Sequence, residues 1–274
     1  MVHEFPARLP RHAFSPRDAA RAADLWRLCQ EVATDGSSAV GWPPSRYRAE
    51  GLGFVVREMT CVHFRETPHG EPLRARTWVR DFRRGMLTNR EIRVDGPRGP
   101  LVSATQEWVH VKADPERKNP DAAPLKPARA SPELVAAFVT PVDAEPPAEW
   151  PSFEPIDGPA HTFNFECWQT WMDPLAHANH PMYVDWSDEA VSRAMLRVGM
   201  DPVALVPRAE RVRWKTGIVA GDVVEVTTRA AGRTASGDAV IDVEIKRRGE
   251  VAATATLIRG LRDRTGDALL AALR

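Results

Sequence analysis

Hydrophobic and polar residues follow two periods along this chain, and their order predicts its elements. From 162 to 171, large apolar residues such as Phe163 and Phe165 alternate with polar ones, the period of a half-buried strand. Then Tyr183, Trp186, Ala190, Ala194 and Val198 recur at steps of three and four, an apolar stripe that predicts a helix stopped by Gly199. Asn179 or His180 suits the cap of that helix and Pro181 its first turn. Earlier, Ala22, Leu25, Trp26, Cys29, Val32 and Ala33 form a similar stripe. Ser15-Pro16-Arg17-Asp18 reads as a capping box opening this first helix, and Gly36 or Gly41 as its end. Extended runs are expected at 53–63, 73–82, 86–94 and 101–111, with turns at Pro68-His69-Gly70-Glu71 and Gly96-Pro97-Arg98-Gly99.

The second half repeats this plan. Its helix is followed by extended segments at 209–215, 223–230, 239–247 and 251–259, with turns at Ala220-Gly221-Asp222 and Arg248-Gly249-Glu250. Gly99 to Ala104 resembles Gly249 to Thr254, 150 positions later, and Glu31 to Gly41 has the spacing of Glu189 to Gly199. Two copies of one helix-plus-antiparallel-sheet unit account for this shared order, an α+β architecture. The first unit is expected at 1–113 and the second at 161–274. Residues 114–160, rich in proline, alanine and charge, read as an extended surface linker. A short helix is expected within it at Ser131-Pro132-Glu133-Leu134-Val135-Ala136-Ala137-Phe138; for 141–157 a disordered spacer fits nearly as well.

Composition narrows the class. Lys+Arg and Asp+Glu both total 37 over 274 residues, so no global basic field for nucleic acid exists. Arg83-Arg84 and Lys246-Arg247-Arg248 read as solvated turns. Cys29, Cys61 and Cys167 are odd in number and far apart, which argues against a disulfide framework or a structural zinc. No segment reaches the ~18 apolar residues that span a bilayer, and the amino terminus lacks a signal-like apolar region. A soluble cytoplasmic protein is the expectation.

One stretch concentrates chemistry. Asp173, His177, Asn179 and His180 fall within eight positions, just where a strand hands over to the amino end of a helix. Unpaired N–H groups and a partial positive charge there can hold a developing oxyanion. Metal is not expected: these residues, even with His161, lack the helical HExxH spacing. The nine tryptophans, Trp168, Trp171 and Trp186 beside the motif included, read as core and pocket lining.

The pattern Asp173-x-x-x-His177-x-Asn179-x-x-x-Tyr183-x-x-Trp186, entering a long helix after a sheet strand, resembles the hotdog-fold acyl thioesterases. It is most similar to the acyl-ACP thioesterases, which fuse two hotdog units and keep the reactive motif in the second. Cys29-Gln30-Glu31-Val32-Ala33 and Gln106-Glu107-Trp108-Val109-His110-Val111 extend the likeness to the first unit. Leu175 stands where that family tends to have asparagine, Ala176 where glycine is frequent, and the later acid–cysteine pair has no counterpart near Trp214-Lys215-Thr216-Gly217.

The resemblance implies hydrolysis of an acyl-ACP or acyl-CoA thioester, without a cofactor, by a chain that pairs its own hotdogs or forms a homodimer. Asp173, ionised at neutral pH with a reference pKa of ~3.9, is the expected base or nucleophile. Helix-start N–H groups near Asn179 and His180 are expected to form the oxyanion hole. His177 would orient water or the acid, and Asn179 would position the thioester or hold the loop. Caps and packing are the bland roles for all three. Asp185 and Glu189 are alternative bases, and otherwise solvated helix charges. Aligning Glu31 with Glu189 sets Ser15 opposite Asp173 and Ala19 opposite His177, so the first unit lacks the acid and is expected to shape the acyl pocket. A hydratase or dehydratase is the second reading, disfavoured because those hotdogs place four residues between acid and histidine where this chain has three. A non-catalytic acyl-binding protein is the third.

Overall fold

A computed structural model describes residues 1–113, 125–138, 140–141, 143–158, 160–262 and 265–273. The elements β1 (His3–Ala7), α1 (Ala22–Ala39), α2 (Pro44–Ala49), β2 (Leu52–His63), β3 (Leu73–Arg83), β4 (Leu87–Gly96) and β5 (Gly99–Lys112) come first. Next are β6 (Lys126–Pro127), α3 (Pro132–Ala137) and β7 (Phe153–Pro155). The rest is β8 (Ala160–Glu166), α4 (Met182–Arg197), β9 (Leu205–Trp214), β10 (Val223–Thr234), β11 (Ala239–Arg247), β12 (Glu250–Leu261) and α5 (Gly266–Ala272).

All strands join one antiparallel sheet. Its path runs β1-β3-β4-β5-β2 and then β9-β12-β11-β10, with β8 and β7 both on β10. The order on one side of the β2–β9 seam is thus mirrored by β8-β10-β11-β12-β9 on the other. The seam pairs Glu58 with Arg213 through Val62 with Ala209. Helices α1 and α4 share one apolar core against the sheet, in which Trp26, Cys29, Tyr183, Val191 and Met195 are almost fully buried. That is what two amphipathic stripes facing one sheet require.

The loops before the two helices match as well. Ser15 N–H donates to Ala19 O (2.9 Å), as Asp173 N–H does to His177 O (2.7 Å). Asp18 and Ala176 both take a left-handed φ, 56° and 60°. This loop corrects the expected capping box: Ser15–Asp18 is a turn, and α1 starts later, at Ala22, without a side-chain cap. Nor does Asn179 or His180 cap α4; Pro181 takes the capping position and bonds through its carbonyl.

Of the 114–160 segment, residues 114–124, 139, 142 and 159 lie outside the described residues. Of the described part, 131–138 packs with Trp42 and Val79 on the face that carries Arg90, while 145–150 crosses the opposite face, with Trp150 beside Val62, Ala209 and Ile258. Ser131 Oγ caps α3 by accepting from Leu134 N–H, Arg93 donates to the carbonyls of Glu145 and Pro146, and Trp150 lies under Arg211. The periodicity left three elements unassigned: β1 pairs with β3 at one edge, α2 packs on β2, and α5 lies in the core against α4 and β10–β12. No helix among the described residues is long and apolar enough to cross a membrane.

Candidate active site

A cavity of about 1200 Å³ runs between the two halves. One part is lined by Asp173, His177, His180, Gly217 and Arg247 from the second half; the rest is walled mainly by α1, α2, β2, β3 and β5 of the first, including Tyr47, Phe54 and Trp108. Three of the expected residues therefore face one space.

Asp173 is fixed by its own loop. Its Oδ1 accepts from Leu175 N–H (2.8 Å) and His177 N–H (3.2 Å), an Asx-type turn that an aspartate makes with the chain ahead of it. The His177 ring lies against Gly217 so closely that a Cβ there would overlap it. Gly217 O in turn accepts from Arg247 (2.5 Å), and Arg247 Nε is paired with the buried Asp222 at 2.7 Å. Arg247 is 8 % exposed, so it is a loop brace and not the solvated turn expected from the Lys246-Arg247-Arg248 run. A basic triplet at a strand end gives no sign of which member turns inward.

The backbone donors separate clearly. Ala178 N–H is bonded to Ile218 O (2.7 Å) and Asn179 N–H to Trp171 O (2.9 Å). His180 N–H, just before the first turn of α4, has no acceptor among the described residues. The His180 ring packs among Trp26, Trp108 and Trp214, with centroids 5.8–6.5 Å away. Burial, helped by the Arg27 cation, pushes its pKa down to about 3, so the imidazole is neutral at pH 7.

Asn179 goes elsewhere. With Asp185 and Arg27 it lines a smaller cavity of about 540 Å³. Its buried Oδ1 has no hydrogen-bond partner. Asp185 is ion-paired with Arg27 of α1; burial raises its pKa to about 6 against the lowering effect of that arginine. It is not the solvated charge expected of it. Glu189 is exposed, paired to Arg193 at 2.8 Å, and lines neither cavity. His161 is on β8, where its Nδ1 accepts from Arg197 (2.7 Å).

Cys61, His63 and Glu210 place three potential ligand atoms together elsewhere in the core. Glu210 is already satisfied there by Trp26 (3.0 Å), His63 (2.6 Å) and Arg259 (2.5 Å), so the group reads as an ion-pair network.

No family model and no curated relative matches this chain. Solved structures of hotdog-fold acyl thioesterases do. A protein assigned as an oleoyl thioesterase from Lactobacillus plantarum superposes with a TM-score of 0.74 at 18 % identity, covering 96 % of this chain and 98 % of its own. An acyl-ACP thioesterase from Bacteroides thetaiotaomicron gives 0.70 at 14 % identity, over 94 % and 97 %. The 12:0-ACP thioesterase from Umbellularia californica gives 0.71 at 14 %, over 95 % and 94 %. The chain has the fold of these proteins over nearly its whole length.

Proposed function

We propose that this protein is an acyl thioesterase built from two fused hotdog units, 1–113 and 161–274, joined by the 114–160 segment. The observation that carries this reading is the position of Asp173: a carboxylate held by its own loop, bordering one large cavity together with His177 and His180. The fold shared with proteins named acyl-ACP and oleoyl thioesterases supports it.

In this reading the acyl chain lies in the part of the cavity walled by the first unit. Asp173 acts as base on water, or attacks the thioester carbon itself. With water, its oxygen bonds to the carbonyl carbon as Asp173 takes one proton; the C–S bond then breaks and Asp173 returns that proton to the sulfur, releasing acid and thiol. The free His180 N–H stabilises the oxygen as it becomes anionic, a contribution on the order of 3 kcal/mol when such a donor is well aimed. His177, set by Gly217, orients the water or the acid. Asn179 supports the loop from its other side and does not touch substrate. The exposed cations Arg57 and Lys215 border the cavity, which suits an anionic carrier, either acyl carrier protein or coenzyme A. No cofactor takes part, and the setting is cytoplasmic; any homodimer is a matter for solution measurement.

Thiol release from a panel of acyl-CoA and acyl-ACP substrates tests this. Asp173→Asn should lower kcat at least a hundredfold while the Tm moves little. Turnover that survives the substitution would remove Asp173 from the chemistry and return attention to Asp185. Tight acyl binding with no turnover on any substrate would instead identify a binding protein.

A further inference from the structure

Strand β4 carries Arg90 on the same side as Ile92 and Val94, both fully buried in the core, where the period of a strand calls for an apolar residue. Arg90 is only 6 % exposed. Its guanidinium reaches two neutral oxygens, Ser37 Oγ at 3.1 Å and Thr77 Oγ1 at 3.4 Å, and stands 5.3 Å over the Phe138 ring. No carboxylate among the described residues pairs with it. The other buried arginines differ: Arg93 has Glu91 (3.2 Å), Arg247 has Asp222 (2.7 Å) and Arg259 has Glu210 (2.5 Å). Burial lowers the pKa of Arg90 to about 10, which leaves it charged at neutral pH.

Room is made for this charge. A Cβ on Gly36 would meet Arg90 Nη1 at 2.7 Å and Thr77 Cγ2 at 2.6 Å. Beside it, the buried Tyr47 Oη has no hydrogen-bond partner of normal geometry. Arg90, Tyr47 and Ser37 all line the large cavity. An unpaired buried cation and an unmet hydroxyl are costly unless something arrives to satisfy them. The C-terminal end of α1 offers Arg90 a fraction of a negative charge and no full one.

We infer that Arg90 and Tyr47 bind an anionic group at the far end of the acyl chain, so that the preferred substrate is an ω-carboxyacyl thioester. A carboxylate matches the fork of a guanidinium and accepts from the tyrosine hydroxyl as well. Helix α1 sets the length. Trp26 packs near the His180 ring and Ser37 holds Arg90 eleven residues on, a separation of about 16 Å at the ~1.5 Å rise of a helix. With zigzag bonds of about 1.5 Å, roughly a dozen carbons span it. The inference takes the thioesterase reading for the direction in which substrate lies; the binding site itself does not depend on turnover.

The experiment compares decanedioyl-CoA with decanoyl-CoA, and dodecanedioyl-CoA with dodecanoyl-CoA, by thiol release, in the wild type and in Arg90→Met and Arg90→Lys. In parallel, calorimetry measures binding of the free mono- and dicarboxylic acids. We expect wild-type kcat/KM to favour the ω-carboxyl member of a pair at least tenfold. Arg90→Met should erase or reverse that ratio and Arg90→Lys should keep part of it. The dicarboxylic acid should lose affinity with Arg90→Met by a similar factor. Wild-type preference for the plain chains, or a ratio that Arg90→Met leaves unchanged, would overturn the inference while leaving the thioesterase reading intact. Selective dicarboxylate binding without any hydrolysis would sustain the site and sink the thioesterase. If Arg90→Met does not fold, the wild-type ratio and the Arg90→Lys ratio decide alone.

Discussion

At Ala176 the backbone takes φ of 60°, a left-handed conformation that costs an L-residue about 1 kcal/mol. The thioesterases that this motif resembles frequently have glycine there, which adopts that conformation without a Cβ clash. Ala176→Gly should therefore stabilise the protein by about 0.5 kcal/mol, since relief of strain exceeds the extra entropy of an unfolded glycine. Urea midpoints would show it, and a loss of stability would mean that the alanine methyl is well packed. Two neighbours in the loop and helix carry opposite pH dependences. His180, depressed from 6.5 to about 3, makes the fold less stable as pH falls below 6.5, because only the unfolded chain takes up the proton. Asp185, raised from 3.8 to about 6, works the other way: the unfolded chain loses its proton first, so stability falls as pH rises from 3.8 to about 6. A rise of that size corresponds to about 3 kcal/mol, but the Asp185 side chain is 31 % exposed, and about 1–2 kcal/mol is expected after screening. Asp185→Asn removes the falling term. Unfolding free energy of this variant, measured at pH 4, 5 and 6, should climb more steeply with pH than that of the wild type. Parallel curves would show that Asp185 titrates normally.

Elements meet most consequentially at the β2–β9 seam. Cys61 of β2 is paired in register with Glu210 of β9, and Glu210 gathers Trp26 from α1, His63 from β2 and Arg259 from β12. Burial alone would raise the Glu210 pKa; the charges of His63 and Arg259 and the Trp26 hydrogen bond bring it down to about 2. Glu210→Ala would leave Arg259 and His63 buried without their anion, and should cost about 3–5 kcal/mol. The exposed Glu58–Arg213 pair on the same two strands is worth under about 1 kcal/mol, so Arg213→Ala serves as the control. Equal urea midpoints for the two variants would refute a structural role for Glu210. At this scale the sequence was a good guide wherever one local force decided. Period-two patterning and glycine turns marked nine strands, and Gly199, at φ 73°, ended α4 as expected. Where tertiary contact decided, local signals misled. Ser15-Pro16-Arg17-Asp18 imitates a capping box yet closes a loop. Arg247 looked solvated, because its partner Asp222 is distant in sequence. Asn179 stands two residues from His177 but faces a different cavity, which spacing alone could not separate. Asp173, His177 and His180 border one cavity because a single loop carries them all.

For the whole molecule, the continuity of the sheet sets the behaviour. β2 and β9 join the two halves by backbone hydrogen bonds, and α1 and α4 bury their apolar stripes in one shared core. The Arg27–Asp185 pair links the same two helices, and the Glu210 network crosses the seam. Neither half could unfold without exposing the side chains that the other covers, including Trp26 and Tyr183, both at most 1 % exposed. Two domains of comparable size joined only by a tether would melt in two steps. Here a single transition is expected, with calorimetric and van't Hoff enthalpies agreeing. Near-ultraviolet circular dichroism of the tryptophans should be lost at the same temperature as far-ultraviolet signal from the sheet. Two resolved heat-absorption peaks would show that the seam is weaker than its contacts imply. The same dependence bears on the cavity: with the Asp173 loop on one half and most of the remaining wall on the other, it exists only while both halves are folded.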